Sequence, residues 1–202
     1  MAHIQLDLDG YTELPYGKVA TVVTHLEMLE KPVLKPVERP DLTLHHVETI
    51  DCAAYRELFK RVGEPWLWFA RLVMNDEQLE AALSKPTNDF YWAMKDSEPV
   101  GLLEFDVSKT EDVLLTYFGL VPEAIGNGAG RWLMNEAIAL AFARPGMNRL
   151  WLHTCTGDSP QALQFYLRSG FKPFKRSIEV ADDPRLKGVL DPSSAPHVPV
   201  LP

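Results

Sequence analysis

The chain has 202 residues, of which 46% are hydrophobic and 24% charged, with a formal net charge of −8. That composition suits one self-sufficient globular core and excludes the low-hydrophobicity class of disordered chains. The acidic balance argues against nucleic acid or anionic lipid as a partner, because phosphate-rich partners need clustered Lys and Arg. No apolar run approaches the ~20 residues of a membrane span, and the opening MAHIQLDLDG carries early acids where a leader has a basic region, so the expected location is cytoplasmic.

Two cysteines, Cys52 and Cys155, fall in unrelated segments without zinc-site spacing and read as free thiols. His45 and His46 are adjacent on an expected strand, so their side chains point to opposite faces and share no metal. No metal is expected.

The run Lys18 to Met28 (KVATVVTHLEM) is rich in β-branched residues and predicts a strand, followed by the Pro-punctuated connection KPVLKPVERP. Asp41 to Val47 alternates well enough for a second strand. Asp51 predicts the N-cap of a helix through Arg61, since its carboxylate can accept orphan first-turn amides. Pro65 to Arg71 (PWLWFAR) concentrates aromatic residues that serve either as core or as a substrate wall, and a helix is expected over Asp76 to Ser84. DFYWAMKD and VGLLEFDV, joined by a turn at Ser97 to Pro99, predict a hairpin from Asp89. Asp112 to Val121 predicts another strand, Gly126 to Ala143 a helix, and Arg149 to Thr154 a short strand. A helix over Ser159 to Ser169 and a last strand over Phe171 to Ile178 complete a mixed α/β sheet. The stretch from Asp182 is Pro-rich without either periodicity and predicts an extended tail on the surface or on a second subunit.

The chemistry-bearing segment is Gly119 to Asn135, GLVPEAIGNGAGRWLMN. Three glycines at alternate positions, Gly126, Gly128 and Gly130, lead from a strand end into an amphipathic helix. Such glycines let backbone approach a bulky anion, at which the unpaired first-turn amides and the helix dipole point. No Lys-Ser/Thr pair follows, as a Walker loop requires, and the spacing is not the GxGxxG of dinucleotide folds.

VPEAIGNGAGRWLM resembles motif A of the GNAT acetyltransferases, and SPQALQFYLRSGF, at the expected separation, resembles their motif B. The resemblance extends over roughly Asp89 to Arg176. It implies the GNAT-like acyl-CoA N-acyltransferase fold, a mostly antiparallel central sheet flanked by helices. One domain is then expected over residues 1–181 with an N-terminal strand extension, and the Pro-rich extended tail over 182–202. Ile125 stands where the family usually has Gln or Arg, and Ser159 where Asn is common.

By this resemblance acetyl-CoA is the cosubstrate. Its pyrophosphate would lie on Ile125, Gly126, Asn127, Gly128, Ala129, Gly130 and Arg131, and Ser159 and Tyr166 of motif B would also bind the cosubstrate, Tyr166 near the thioester sulfur. Phe118, Gly119, Leu120 and Val121 would pair with the pantetheine arm like an added strand. Tyr166 falls where a phenol can protonate the departing thiolate, and Phe165 beside it reads as core. Glu104, a carboxylate in an apolar strand, is the first candidate for the base; Asp106 lies on the same face, and His25, Glu27 and His153 are lesser candidates. The expected reaction is direct transfer to a primary amine of a small molecule or peptide in a ternary complex. A noncatalytic acyl-CoA-binding sensor or interaction protein is the alternative that Ile125 and Ser159 keep open. The N-terminal strand and the tail can serve a homodimer interface or wrap their own chain.

Overall fold

The computed structural model describes residues 5–201, so residues 1–4 of the expected domain and residue 202 of the expected tail lie outside the described residues. The β-branched run forms β1 (Lys18–Met28), and β2 (Thr43–His46) follows the Pro-rich connection. The hairpin is β3 (Asn88–Lys95) and β4 (Glu98–Asp106), turned at Asp96 and Ser97, whose φ values of 49° and 69° match the two left-handed positions of a type I′ turn. Three more strands are β5 (Asp112–Leu120), β6 (Arg149–Cys155) and β7 (Lys172–Asp182).

All join one seven-stranded sheet in the order β2-β3-β4-β5-β6-β1-β7. Among the described residues the one parallel pairing is β5 with β6; the others are antiparallel. The sheet is thus mixed and mostly antiparallel. The N-terminal strand does not extend an edge: β1 lies between β6 and β7, with His25 opposite both His153 and Lys175. That partner carries β7 on to Asp182, opposite Lys18, past the expected end at Ile178. Strand β7 is the outer edge of the sheet, and most of its residues are exposed.

Helix α1 (Cys52–Gly63) starts where Asp51 accepts a hydrogen bond from the Ala54 amide at 2.8 Å. Helix α2 (Asp76–Leu83) begins with a reciprocal Asn75/Gln78 capping box. Both pack on one face of the sheet, where Tyr55, Leu58, Phe59 and Leu79 are buried with Phe90 and Leu102. Helix α3 (Ala129–Phe142) covers the other face through Leu133, Met134, Ala137, Ile138 and Ala141. Full burial of each large side chain among these stabilises by about 1.5–3 kcal/mol. Helix α3 begins at Ala129 and not at Gly126, because Gly126, Asn127 and Gly128 have φ values of 109°, 46° and 83°, outside the helical region. Helix α4 (Ala162–Arg168) likewise starts late: Ser159 opens a turn in which its carbonyl accepts from the Ala162 amide at 2.8 Å.

Residues 183–201 form neither strand nor helix and fold back over the start of β1. Leu190 and Ala195 are buried against Val19 and Leu67. The buried Arg185 guanidinium pairs with Asp183 at 2.7 Å and donates to the carbonyls of Ser194, Ala195 and Val198, so one cation ties the whole segment together. Among the described residues no helix is long and apolar enough to cross a membrane.

Candidate active site

The glycine-rich segment turns through three consecutive residues with positive φ. A side-chain carbon added at Gly126 would meet nothing within 4 Å, so the loop surface is open there, whereas at Gly128 it would lie 2.9 Å from Val37 Cγ1 of the Pro-rich connection. Among the described residues no side chain caps α3; the Ala129 amide donates to the Gly126 carbonyl at 2.9 Å, which leaves the Gly130 and Arg131 amides of the first turn without an intrahelical partner. Loop and helix start form a cradle built from backbone, of the kind that suits an anion.

Beside this cradle the sheet opens. Strands β5 and β6 pair only at Asp112 with Arg149, Val113 with Leu150 and Leu114 with Trp151. The cause lies one strand away: β4 aligns Glu104 with Tyr117 but Phe105 with Leu115, which leaves Thr116 as the extra residue of a β-bulge. A bulge bends and twists its strand, here away from β6. The Thr116 hydroxyl is buried without a hydrogen-bond partner and lines the resulting gap.

A cavity of about 630 Å³ passes through the gap. One end reaches Ile125, Gly126, Gly128, Gly130 and Arg131; the other reaches Val19, Thr21, Glu179 and Ala181 on the opposite side of the sheet. Its far wall is the aromatic segment, held by local geometry. Leu67 takes φ 56°, the Trp68 amide donates to the Gly63 carbonyl at 3.0 Å, and a side chain at Gly63 would overlap Trp68 Cβ at 2.3 Å. Gly119 is needed for the same packing, since a Cβ there would lie 2.4 Å from Val62 Cγ1.

Asp158 is the hub at the middle. It accepts from Trp68 Nε1 at 3.1 Å, from the Thr154 hydroxyl at 2.6 Å and from the Cys155 amide at 2.9 Å. Tyr166 is half-buried on the same cavity, and burial, with Asp158 adding to it, pushes its phenol well above the ordinary tyrosine range. The group therefore stays protonated and able to donate. Burial also pushes the Cys155 thiol up, away from the thiolate form. The Tyr117 phenol is pushed up to about 12, chiefly by burial.

The lining brings together Phe118, Gly119, Leu120, Ile125, Gly126, Gly128, Gly130, Arg131, Ser159 and Tyr166 of the expected site. Four expected residues are placed elsewhere. Val121 is buried under α1 and its amide donates to the Val100 carbonyl at 2.9 Å; Ala129 is buried in the core below α3. Asn127 gives its carbonyl to Arg39 Nη1 at 3.3 Å and is outside the lining.

Glu104 is the fourth. It is 1% exposed and outside the lining, with one oxygen paired to Arg71 and the other accepting from the Tyr55 hydroxyl at 2.7 Å. Burial pushes this carboxyl up while Arg71 and Tyr55 oppose the rise, and Arg71 lies 5.5 Å over the Tyr117 ring. A carboxylate so committed is a poor proton acceptor for a substrate it does not face. It braces the wall through Arg71. Asp106 caps a turn by accepting from the Ser108 amide at 2.8 Å. Of the lesser candidates, His25 bonds Ser177 at 2.8 Å, Glu27 pairs with Arg149 at 2.7 Å, and His153 lines the cavity.

Asp158, Thr116 and Glu179 were not legible as site residues, and neither was Arg39, whose guanidinium is at the glycine loop although the residue belongs to the Pro-rich connection. An Asp one residue before the motif B start was the only signal that pointed near any of them.

A splayed, mostly antiparallel mixed sheet flanked by helices, with a glycine loop opening α3, is the fold expected from the motif resemblance. Residues 52–171 match the model of the Acetyltransferase (GNAT) family, and the chain belongs to that family. Solved structures share the fold. A conserved, functionally unknown protein from Staphylococcus epidermidis ATCC 12228 has a TM-score of 0.58 at 17% identity, covering 83% of this chain and 64% of that one. A GCN5-related N-acetyltransferase from Sphaerobacter thermophilus has a TM-score of 0.58 at 13% identity, covering 81% and 52%. One from Kribbella flavida has a TM-score of 0.54 at 19% identity, covering 85% and 63%. The chain thus spans less than two thirds of the length of each of these three proteins.

Proposed function

We propose that the protein transfers an acetyl group from acetyl-CoA to a primary amine by direct attack in a ternary complex. The observation that carries this reading is that β5 loses β6 after Leu114 and runs on with that edge unpaired to Leu120, shortly before the uncapped glycine loop. The loop amides of Gly126, Gly128, Gly130 and Arg131 hold the pyrophosphate, with Arg131 as the one Lys or Arg of the cavity lining among the described residues. The free edge of β5 from Phe118 to Leu120 hydrogen-bonds the pantetheine arm as a neighbouring strand would.

The amine nitrogen attacks the thioester carbonyl carbon, the C–S bond breaks, and the Tyr166 hydroxyl gives its proton to the thiolate. The amine's own proton leaves toward the far mouth of the cavity, where Glu179 and water can take it. Glu104 positions Tyr117 through Arg71 and touches no substrate in this scheme.

Calorimetric titration with acetyl-CoA, followed by thiol release against a panel of amines, tests the reading. Binding with amine-dependent release is expected, and Tyr166→Phe should lower kcat by about a hundredfold with acetyl-CoA affinity unchanged. The committed Glu104 and the apolar Ile125, 59% exposed in the loop, favour a second reading, a noncatalytic acyl-CoA sensor. Binding without release against every amine would select it.

A further inference from the structure

The far half of the cavity is uniform in charge and in surface. Its lining draws on Val19 and Thr21 of β1, Trp66, Leu67, Trp68 and Phe69 of the aromatic segment, and Glu179 and Ala181 of β7. Strands β1 and β7 set Thr21 opposite Glu179 and Val19 opposite Ala181, so these four side chains share one face of the sheet. Glu179 is exposed at the mouth, and Asp158 stands deeper, below Trp68. The one Lys or Arg in the lining is Arg131, at the glycine-loop end, where it donates to the Ser169 hydroxyl at 2.9 Å and lies 5.2 Å over the Phe165 ring.

From this arrangement we infer that the acyl acceptor is an amine on an aromatic or apolar body that carries no carboxylate beside its amino group, with Glu179 receiving its cationic form. The inference rests on the acetyl-transfer reading of the same cavity and narrows it. An aromatic body buries its ring among Trp66, Leu67 and Phe69, and Tyr117 adds a further ring 5.3 Å from Trp68. An ammonium group entering at the mouth is attracted by Glu179, which accepts its proton directly or through one water before the freed amine moves inward to the thioester beside Tyr166. An α-amino acid brings the same ammonium with a carboxylate attached. That second charge would enter a low-dielectric space facing Asp158 and Glu179, with no Lys or Arg in the lining of this half among the described residues and with Arg71, over Tyr117, already paired to Glu104. The discrimination against the carboxylated molecule is on the order of tenfold or more.

The test uses two matched pairs, phenethylamine with phenylalanine and tryptamine with tryptophan, titrated calorimetrically into the CoA-saturated protein and assayed for thiol release with acetyl-CoA. Each amine is expected to bind, and to turn over, at least about tenfold better than its carboxylated partner. Glu179→Lys, a change on an exposed edge strand, also removes the proton acceptor, so it is read by calorimetric binding, where the ratio should move toward the amino acid by about tenfold or more. Equal or tighter binding of the amino acids overturns the inference, as does a ratio unmoved by Glu179→Lys. Preferential binding of the amines without thiol release keeps the cavity's preference for an uncarboxylated amine and removes acetyl transfer. Release with amino acids or peptides but not with aromatic amines does the reverse.

Discussion

The two ends of the cavity are made of different materials. The glycine-loop end is backbone: three successive residues with positive φ and an uncapped helix start, all within one short stretch of chain. The acceptor end is side chain, assembled from β1, the aromatic segment after α1, the turn after β6, and β7. A backbone cradle depends on whether a few residues can adopt their dihedral angles. A side-chain wall depends on the packing of the whole sheet beneath it, and here also on the tail that covers Val19 and Leu67. Substitutions at the loop should therefore reach acetyl-CoA affinity first, and substitutions behind the wall should reach stability first.

The largest effect is expected behind the wall. Glu104→Ala leaves the Arg71 guanidinium buried without its partner, which costs about 3–5 kcal/mol of folding stability, measured by denaturant unfolding. Replacing Glu104 and Arg71 together by Leu should recover most of that loss, because an apolar pair carries no uncompensated charge. An unchanged unfolding midpoint in Glu104→Ala would mean that the cluster does not hold the wall. Next comes the loop. Gly128→Val places a β-branched residue at φ 83° with its Cβ 2.9 Å from Val37 Cγ1, a strain of about 1–3 kcal/mol. Calorimetry should show acetyl-CoA binding weakened by about tenfold to a hundredfold. If binding of an amine at the far end fell as much, the two ends would not be separable.

The same contrast decides what could be read from the sequence. Local signals carried far: Asp51 marked the start of α1, the β-branched run marked β1 from Lys18 to Met28, and the alternate glycines marked the cradle. The positive φ values that delay α3 to Ala129 follow from those same glycines, yet residue type alone did not say which of them would leave the helix. Strand order was not legible at all. Nothing in the periodicity of β1 says that it inserts between β6 and β7, and that insertion is what brings Thr21 and Glu179 to the cavity. Glu104 misled for a related reason. A lone carboxylate in an apolar strand looks free until Tyr55 and Arg71, from other segments, are seen to occupy both of its oxygens. Asp158 was missed because its importance lies in three donors, of which Trp68 is far away in the chain.

The smallest effect separates the cradle from the cation beside it. Arg131 is the one Lys or Arg in the lining, but its guanidinium is already engaged by the Ser169 hydroxyl and the Phe165 ring. A partly exposed charge held in this way adds only about 0.2–1 kcal/mol to the grip on a phosphate, less at high salt. Arg131→Ala is expected to weaken acetyl-CoA binding by no more than about fivefold, and the difference from the parent protein should shrink as salt is raised. Calorimetric titration at low and high ionic strength reads both quantities. A loss as large as that of Gly128→Val would move the source of phosphate affinity from backbone to side chain, and would make the two ends of the cavity alike in construction.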